Sequence, residues 1–252
     1  MYQFFVKEQQ IGKDFITITG SDVNHMKNVL RMKPGETVRV SSETGKNYMC
    51  SVLELADTFV QLDILDSEVA GTELPNRIFL FQALPKGDRM EYIIQKAVEL
   101  GVYEVIPVAM KYCVVKLDAK KAKAKVSRWQ AIAESAAKQS KRSCIPAVHP
   151  VMSFQDAVAY AMQCGCRLVP YENERGMQAT AQALQSVREG VSVSVMIGPE
   201  GGFASEEIDA LRGRMQMISL GKRILRTDTA AVAMMSLLML SIEMKFDFGR
   251  QN

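Results

Sequence analysis

Residues that bind metals or form redox pairs are scarce in this 252-residue sequence. It contains only two histidines, which excludes a histidine-rich metal site, and its five cysteines form no C-x-x-C pair. An odd number of cysteines without such a pair is typical of a protein from a reducing compartment. We therefore expect a cytoplasmic protein that binds no metal.

Membrane-directed segments are also missing from the sequence. No signal peptide opens the chain, and the longest apolar run, about 230–240, is too short to span a bilayer, so we expect no membrane partner. The net charge of +3 is too small to indicate a partner by itself. With 48% hydrophobic and 23% charged residues, the chain has enough apolar side chains for a globular core, in one large domain or two modest ones.

Residues 1–72 are predicted to form a small β-barrel, because short strand-like runs are separated by close turns. A short helix is predicted over 21–31, and 43–46 is a predicted hairpin turn. The candidate strands are 2–6, 15–19, 37–42, 48–55 and 59–65.

A turn-rich stretch, 71–76, is the predicted domain boundary, and strand and helix patterns alternate after it. Such alternation predicts an α/β domain over 73–252, with a mostly parallel sheet and helices on both faces. The candidate strands are 77–84, 102–110, 167–171, 191–197 and 215–220. The candidate helices are 88–100, 122–140, 178–189 and 229–245, with two more opening near Ser153 and Ser205. We expect helix caps at Asp88, Ser153, Ser205 and Asp228.

Positive charge is concentrated in residues 111–142. This segment holds ten lysines and arginines against Asp118 and Glu134, a net charge of +8, so the rest of the chain carries −5. Concentrated positive charge on an otherwise acidic protein favours contact with a phosphate backbone. A smaller basic cluster surrounds the predicted helix 21–31, and for either cluster the alternative is an ordinary solvated face. The candidate RNA-binding residues are His25, Lys27, Arg31, Lys33, Lys120, Lys121, Lys123, Lys125 and Arg142.

Two loops near the end of the chain each follow a predicted strand. The first is GPEGG, 198–202, and the second is GKRILRTD, 221–228. In an open α/β fold, such loops at the carboxyl ends of strands are where a ligand binds. The first loop matches neither glycine-rich phosphate motif, and Glu200 would repel a phosphate, so we expect a neutral or cationic ligand. The alternative is a pair of ordinary turns.

Together these loops resemble a known signature. IGPEGGF at 197–203 and SLGKRILRTDTA at 219–230 are similar to the motifs of the SPOUT methyltransferases, and within them to the bacterial 16S ribosomal RNA uracil-N3-methyltransferase family. Weaker matches extend the resemblance over almost the whole chain. They are SDVNHMKNVLRMKPG at 21–35, LPKGDRMEYIIQKAVELGVYEVIPV at 84–108 and RWQAIAESAAKQSKRSCIP at 128–146.

The resemblance implies a fold and an activity. It implies a PUA-like RNA-binding barrel over 1–72 and a SPOUT domain over 73–252, whose C-terminal trefoil knot holds S-adenosylmethionine. The implied reaction is methylation of N3 of a uridine in the decoding region of 16S ribosomal RNA, in the small ribosomal subunit. The alternatives are a SPOUT enzyme that methylates a ribose 2′-hydroxyl or another base, and an RNA-binding module without activity.

The resemblance also places residues around the cofactor. Ile197, Leu220 and Leu225 would form apolar walls around adenine, although each could equally be plain core. Gly198 and Gly201 would let the backbone approach the ligand. The remaining cofactor-binding candidates are Tyr171, Glu200, Gly221, Ile224 and Thr229.

Methylation of uracil N3 requires an aligned donor, removal of the N3 proton and stabilisation of the negative charge that spreads onto O2 and O4. The loop nearest the expected donor supplies Arg223, Arg226 and Asp228 as catalytic candidates. The family usually has Glu where this chain has Asp228, so the acid here is one methylene shorter. Capping of the last helix is the alternative role of Asp228.

The last predicted helix, 229–245, is apolar nearly all the way round. A helix packed on one side of a sheet normally keeps a polar outer face. Its second face therefore needs cover from another helix or another subunit, and burial within the monomer is the alternative. The resemblance implies a homodimer formed through the knot helices.

Overall fold

A computed structural model of the chain describes residues 1–67 and 69–247, which divide into two units. The first unit contains Met1–Glu73 and the later segment Ala137–Ile145. The second contains Leu74–Ala136 and the described chain from Pro146 onward. Residue 68 of the predicted barrel and residues 248–252 of the predicted second domain lie outside the described residues.

The first unit is built on a five-stranded sheet. Its strands are β1 (Tyr2–Val6), β2 (Phe15–Thr19), β3 (Thr37–Ser42), β4 (Asn47–Leu55) and β5 (Phe59–Asp66), in the order β1-β3-β4-β5-β2. The β1–β3 pair is parallel and the other pairs are antiparallel. Among the described residues β1 and β2 are the two edges, so the strands form a half-barrel. All five predicted strands are confirmed to within one residue at each end.

One face of this sheet is the core of the first unit. Side chains alternate between the two faces of a strand, and this alternation buries Phe4, Val38, Val40 and Leu62 on the same side. The predicted helix is confirmed as α1 (Ser21–Asn24), which continues as a π-helical turn over His25–Val29 and buries Met26 in the same core.

The second unit is a parallel α/β sheet of seven strands. Every pair is parallel, and the order is β12-β10-β11-β6-β7-β8, with β9 also paired to β7. The predicted parallel α/β domain is therefore confirmed. The strands are β6 (Ile78–Ala83), β7 (Glu104–Ala109), β8 (Ala147–Val148), β9 (Met152–Ser153), β10 (Cys166–Pro170), β11 (Val193–Ile197) and β12 (Gln216–Ile218). The helices are α2 (Arg89–Glu99), α3 (Ala119–Ser140), α4 (Phe154–Ala161), α5 (Gln178–Ser186), α6 (Ser205–Leu211) and α7 (Thr227–Asp247).

Two of the four predicted caps concern α2 and α4. Ser153 caps α4, because its hydroxyl accepts the Asp156 amide, as predicted. Asp88 holds the cap position of α2, as predicted, but the predicted capping box does not form. The backbone angles of Asp88, φ −95° and ψ 10°, lie outside the extended region that a capping residue normally adopts, and its side chain makes no cap hydrogen bond. The Glu91 side chain, the other half of the predicted capping box, pairs instead with Arg128.

The other two caps are each displaced along the chain. Helix α6 begins at Ser205, so Ala204 holds the cap position, and the Glu207 carboxylate accepts the Ala204 amide at 2.9 Å. Helix α7 begins at Thr227, two residues before the predicted start. Asp228 therefore lies in the first turn, where a negative charge interacts favourably with the helix dipole, but it is not the cap.

Helix α7 is longer than the apolar run that it contains. By length and composition alone its stretch Thr227–Phe246 could cross a membrane, so the prediction that the apolar segment is too short is wrong. A single such helix is weak evidence, because a core helix passes the same test. Helix α7 packs against α2 and β11, burying Met234 and Leu238, while Leu240 and Met244 on its other side are exposed.

An ion pair holds the two chain segments of the first unit together. Arg142 is 3% exposed, and its Nε lies 3.0 Å from both Glu73 carboxylate oxygens. The Ser143 amide donates to the same carboxylate, and Gln3 donates to the Arg142 carbonyl. Burial acts to raise the pKa of Glu73, but the hydrogen bonds and charge of Arg142 outweigh it and hold the pKa below its ordinary value.

We predict that Glu73→Gln lowers the free energy of unfolding by about 2 kcal/mol, because it leaves a buried guanidinium without its counter-charge. The measurement is urea denaturation at pH 7. Because the folded-state pKa of Glu73 is depressed, its contribution is present above the unfolded-state pKa and is lost as the pH falls through the folded-state pKa. The gap between variant and wild type should therefore close below about pH 4.

The control for this prediction is Asp57→Asn. Asp57 pairs with Lys27 in the same unit, but its side chain is 93% exposed, so its loss should leave the unfolding curve unchanged. Equal effects of the two variants, or a gap that persists in acid, would contradict the prediction.

Candidate functional site

A concave site of the second unit lies at the carboxyl ends of β10, β11 and β12. The segments that follow these strands line one cavity of about 570 Å³, a size typical of small-molecule sites. Because all three strands are parallel, their carboxyl ends meet at the same edge of the sheet. The two loops singled out in the sequence line this cavity, and so does the loop after β10.

The walls of the cavity are apolar and its turns are glycine-rich. Ile197, Leu220 and Leu225 line it, together with Phe203, whose ring meets the Tyr171 ring edge-on at 6.4 Å. A methyl group added to Gly198 would lie 2.8 Å from the Phe203 ring.

Two further glycines of the first loop have little room for a side chain. A Cβ on Gly201 would lie 3.0 Å from the Cβ of Tyr112. Gly202 has a φ of +72°, in the left-handed region that favours glycine. This loop therefore depends on glycine both for packing and for backbone conformation.

Hydrogen bonds fix the loop that follows β12. The Thr180 hydroxyl donates to the Ser219 carbonyl at 2.7 Å and accepts the Ser219 amide at 3.1 Å. The Tyr171 amide donates to the Ile218 carbonyl at 3.0 Å, which ties the loop after β10 to the end of β12. The main chain at the start of this loop is thus held both by the Thr180 side chain and by the backbone of Tyr171.

Glu200 is directed toward the start of α2. Its carboxylate accepts the Lys86 amide at 2.9 Å and the Arg89 guanidinium at 2.6 Å. Burial acts to raise the pKa of Glu200, but these hydrogen bonds and the Arg89 charge lower it overall. Its negative charge is therefore balanced, and Glu200 repels an anion less than the sequence indicates.

Four other cationic side chains surround the cavity. Arg175, Lys222, Arg223 and Arg226 line it and are exposed, and none has an ion-pair partner within residues 1–67 and 69–247. Arg89, Arg175 and Lys222 line the cavity but were not among the predicted site residues. For Arg175 a signal existed, since it lies in the loop after the predicted strand 167–171.

The cavity brings together most of the predicted site. Of the catalytic candidates, Arg223 and Arg226 line it, and Asp228 does not. Of the cofactor candidates, only Thr229 is absent from the lining. Those that line the cavity are Tyr171, Ile197, Gly198, Glu200, Gly201, Leu220, Gly221, Ile224 and Leu225.

The phase of α7 explains the two exceptions. Thr227 and Ala230, three residues apart on one face of the helix, line the cavity, so the two residues between them point elsewhere. Thr229 is exposed, and Asp228 is half-buried. One oxygen of Asp228, Oδ1, is buried without a hydrogen-bond partner among the described residues.

The predicted RNA-binding residues differ in availability. Lys120, Lys121 and Lys123 are exposed on α3, and Lys125 is half-buried. In the first unit Lys27 pairs with the exposed Asp57. The exposed residues of its basic cluster are His25, Arg31 and Lys33.

Arg142 is the correction to this set. Its guanidinium is buried and bound to Glu73, so a phosphate could reach it only by breaking that pair. The basic run in the sequence gave no sign of this contact, because Glu73 lies 69 residues away.

Comparisons with known proteins agree with this geometry. A family model described as an RNA methyltransferase domain matches residues 72–239, and one described as an RNA methyltransferase PUA domain matches 18–65. The ribosomal RNA small subunit methyltransferase E of Bacillus subtilis (strain 168) is 36% identical over 94% of this chain and 95% of its own length. The protein of that name from Mesomycoplasma hyopneumoniae (strain 232) is 32% identical over 94% of this chain and 98% of its own.

A solved structure extends the similarity to three dimensions. It is the ribosomal RNA small subunit methyltransferase E from Neisseria gonorrhoeae bound to S-adenosyl methionine, which is 30% identical with a TM-score of 0.82, covering 95% of this chain and 97% of that one. The family resemblance seen in the sequence is thereby confirmed. So are the PUA-like fold of the first unit, which is a half-barrel, and the SPOUT-type α/β fold of the second. The chain belongs to the RNA methyltransferase family and, within it, to the ribosomal RNA small subunit methyltransferase E proteins.

Proposed function

We propose that this protein is an S-adenosylmethionine-dependent methyltransferase that methylates N3 of a uridine in the decoding region of 16S ribosomal RNA. The observation that carries the proposal is the cavity at the carboxyl ends of β10, β11 and β12, apolar inside and cationic at its mouth. The names of the relatives support the substrate, and the neighbour bound to S-adenosyl methionine supports the donor.

The cavity residues fit this cofactor. Its volume, about 570 Å³, suits a nucleoside-sized ligand, and Ile197, Leu220 and Leu225 offer apolar surface to an adenine ring. Gly198 and Gly201 line the cavity and, because they lack side chains, the glycine loop packs closely against Phe203 and Tyr112. When bound, S-adenosylmethionine supplies an electrophilic methyl group.

The cationic side chains at the mouth suit the charge that methylation of uracil creates. Loss of the N3 proton spreads negative charge onto O2 and O4, and donors placed there lower the barrier. Arg226 and Arg223 line the cavity, are exposed and have no ion-pair partner among the described residues. We assign them to this charge. Asp228 remains the candidate proton acceptor, although it does not line the cavity.

We further propose that 1–72 is an RNA-binding domain and that 73–252 is the methyltransferase domain. The exposed residues His25, Arg31 and Lys33 in the first and Lys120, Lys121 and Lys123 in the second would contact phosphates. The small ribosomal subunit or its RNA is the proposed partner.

The proposal includes an assembly state. We infer a trefoil knot in the second domain and a cytoplasmic homodimer formed through the knot helices. Support comes from α7, whose exposed Leu240 and Met244 give this chain an apolar surface that a second copy would cover.

We predict that reversing Lys120, Lys121 and Lys123 to Glu weakens RNA binding and flattens its salt dependence. Each lost phosphate contact should lower the slope of log K against log salt by about 0.7–0.9, because fewer counterions are released. Fluorescence anisotropy with a 16S ribosomal RNA fragment at several salt concentrations measures both. The control reverses the exposed Arg188, Arg212 and Arg214, which lie outside the proposed RNA-binding residues and change net charge equally. Equal losses in the two triple variants would show a non-specific charge effect.

We predict that Arg226→Ala slows single-turnover methylation by about a hundredfold, or ~3 kcal/mol, with little change in donor affinity. Arg214→Ala, which removes an exposed arginine outside the cavity lining, is the control and should keep the native rate.

If Asp228 accepts the N3 proton, Asp228→Asn should slow the reaction and change its pH profile. Native rates in both Arg226→Ala and Asp228→Asn would contradict a catalytic role for this loop and would leave it only the binding of S-adenosylmethionine.

A further inference from the structure

The Thr227 side chain connects three elements of the second unit. Its Oγ1 lies 2.8 Å from the Gly198 carbonyl oxygen and 3.0 Å from Nε2 of Gln82. Thr227 is 5% exposed and Gln82 is fully buried. Gln82 belongs to β6, Gly198 follows β11, and Thr227 is the first residue of α7.

The direction of these hydrogen bonds is fixed by the groups that make them. The Gly198 carbonyl can only accept, so the single hydroxyl proton of Thr227 is donated to it. The Thr227 oxygen must then accept from the Gln82 amide, whose nitrogen also donates to the Ala83 carbonyl at 3.0 Å. We call the bonds from Gln82 through Thr227 to Gly198 the relay.

The relay joins the two loops that line the cavity. Gly198 opens the first loop, Thr227 closes the second, and both residues line the cavity. Strand β6 lies next to β11 in the sheet, so Gln82 anchors both loops to the framework beneath them. The relay therefore sets the distance between Gly198 and the start of α7.

The Gln82 amide has an unfavourable feature that packing does not explain. Its Oε1 is buried and has no hydrogen-bond partner among the described residues. A buried polar atom without a partner costs free energy, and an apolar residue of similar shape would avoid that cost. The Gln82 side chain is therefore better explained by the hydrogen bond that its nitrogen makes to Thr227 than by a contribution to folding stability.

We propose that Gln82 and Thr227 are positioning residues, which hold the two loops at the spacing that S-adenosylmethionine binding requires. This inference rests on the proposed function. Neither residue is assigned contact with the reacting atoms. Both act through the loop that begins at Gly198 and the one that ends at Thr227.

The first test compares Thr227→Val with Thr227→Ser by isothermal titration with S-adenosylmethionine. Valine keeps the shape of threonine but makes neither hydrogen bond. The affinity for S-adenosylmethionine should therefore fall about tenfold or more, as expected for two lost hydrogen bonds. Serine keeps the hydroxyl and should bind within about twofold of wild type. Thermal melts confirm folding of each variant. Equal donor affinity in folded Val and Ser variants would overturn the inference.

The second test reverses the polarity of the relay with Gln82→Glu. A carboxylate at this position accepts the Thr227 proton, which is then unavailable to Gly198, so affinity for S-adenosylmethionine should fall above the pKa of that carboxyl. Burial raises the pKa of such a carboxyl, and the neutral acid can again donate to Thr227. Donor affinity of the variant, relative to wild type at each pH, should therefore recover as the pH is lowered.

These two tests separate the inference from the function on which it rests. If Thr227→Val does not fold, the pH dependence of Gln82→Glu decides. A folded Glu variant that binds S-adenosylmethionine like wild type even at about pH 10, above the pKa of about 8–9 that buried carboxyls reach, would overturn the relay. If wild type binds the donor and every variant binds equally, the relay alone fails. If wild type binds no donor, the proposed function fails and the inference falls with it.

Discussion

The cavity depends on the parallel pairing of β10 with a strand on each side. In register, Leu168 of β10 pairs with Val195 of β11 and with Gln216 of β12. Parallel strands end at the same edge of a sheet, so the loops that follow them converge although they lie far apart in the chain. The pairing is held by burial: Leu168, Val195 and Ile218 are each 0% exposed. Without this register, the glycine loop and the basic loop would not share a cavity.

The electrostatics of the site follow from which charges are paired. Glu200, the acidic residue of the glycine loop, is bound to Arg89 and to the Lys86 amide, so its charge is balanced within the protein. Arg223 and Arg226, in contrast, have no ion-pair partner among the described residues and are exposed at the mouth. A site with balanced negative charge and available positive charge suits a reaction in which negative charge develops on a nucleic-acid base.

Local patterns predicted the strands of the first unit well, missed the two-residue strands β8 and β9, and placed the start of the last helix poorly. The strands β1, β2 and β3 were predicted with their bounds because short alternating runs and close turns mark both ends. The start of α7 was misjudged by two residues, and a helix turns through about 100° per residue. The predicted site included Asp228 and Thr229, which do not line the cavity, and left out Thr227, which does. Nor could the sequence show the burial of Arg142, since its partner Glu73 is distant in the chain and the contact is tertiary.

The claim that the cavity brings a methyl donor to uridine N3 is tested most directly by identifying the methylated atom. Purified protein would be incubated with methyl-labelled S-adenosylmethionine and small ribosomal subunits or 16S ribosomal RNA that lack the modification, and the RNA digested to nucleosides for mass spectrometry. We expect the label in 3-methyluridine, from a single position of the decoding region. Label on a ribose 2′-oxygen or on another base, or no label in either substrate, would contradict the claim.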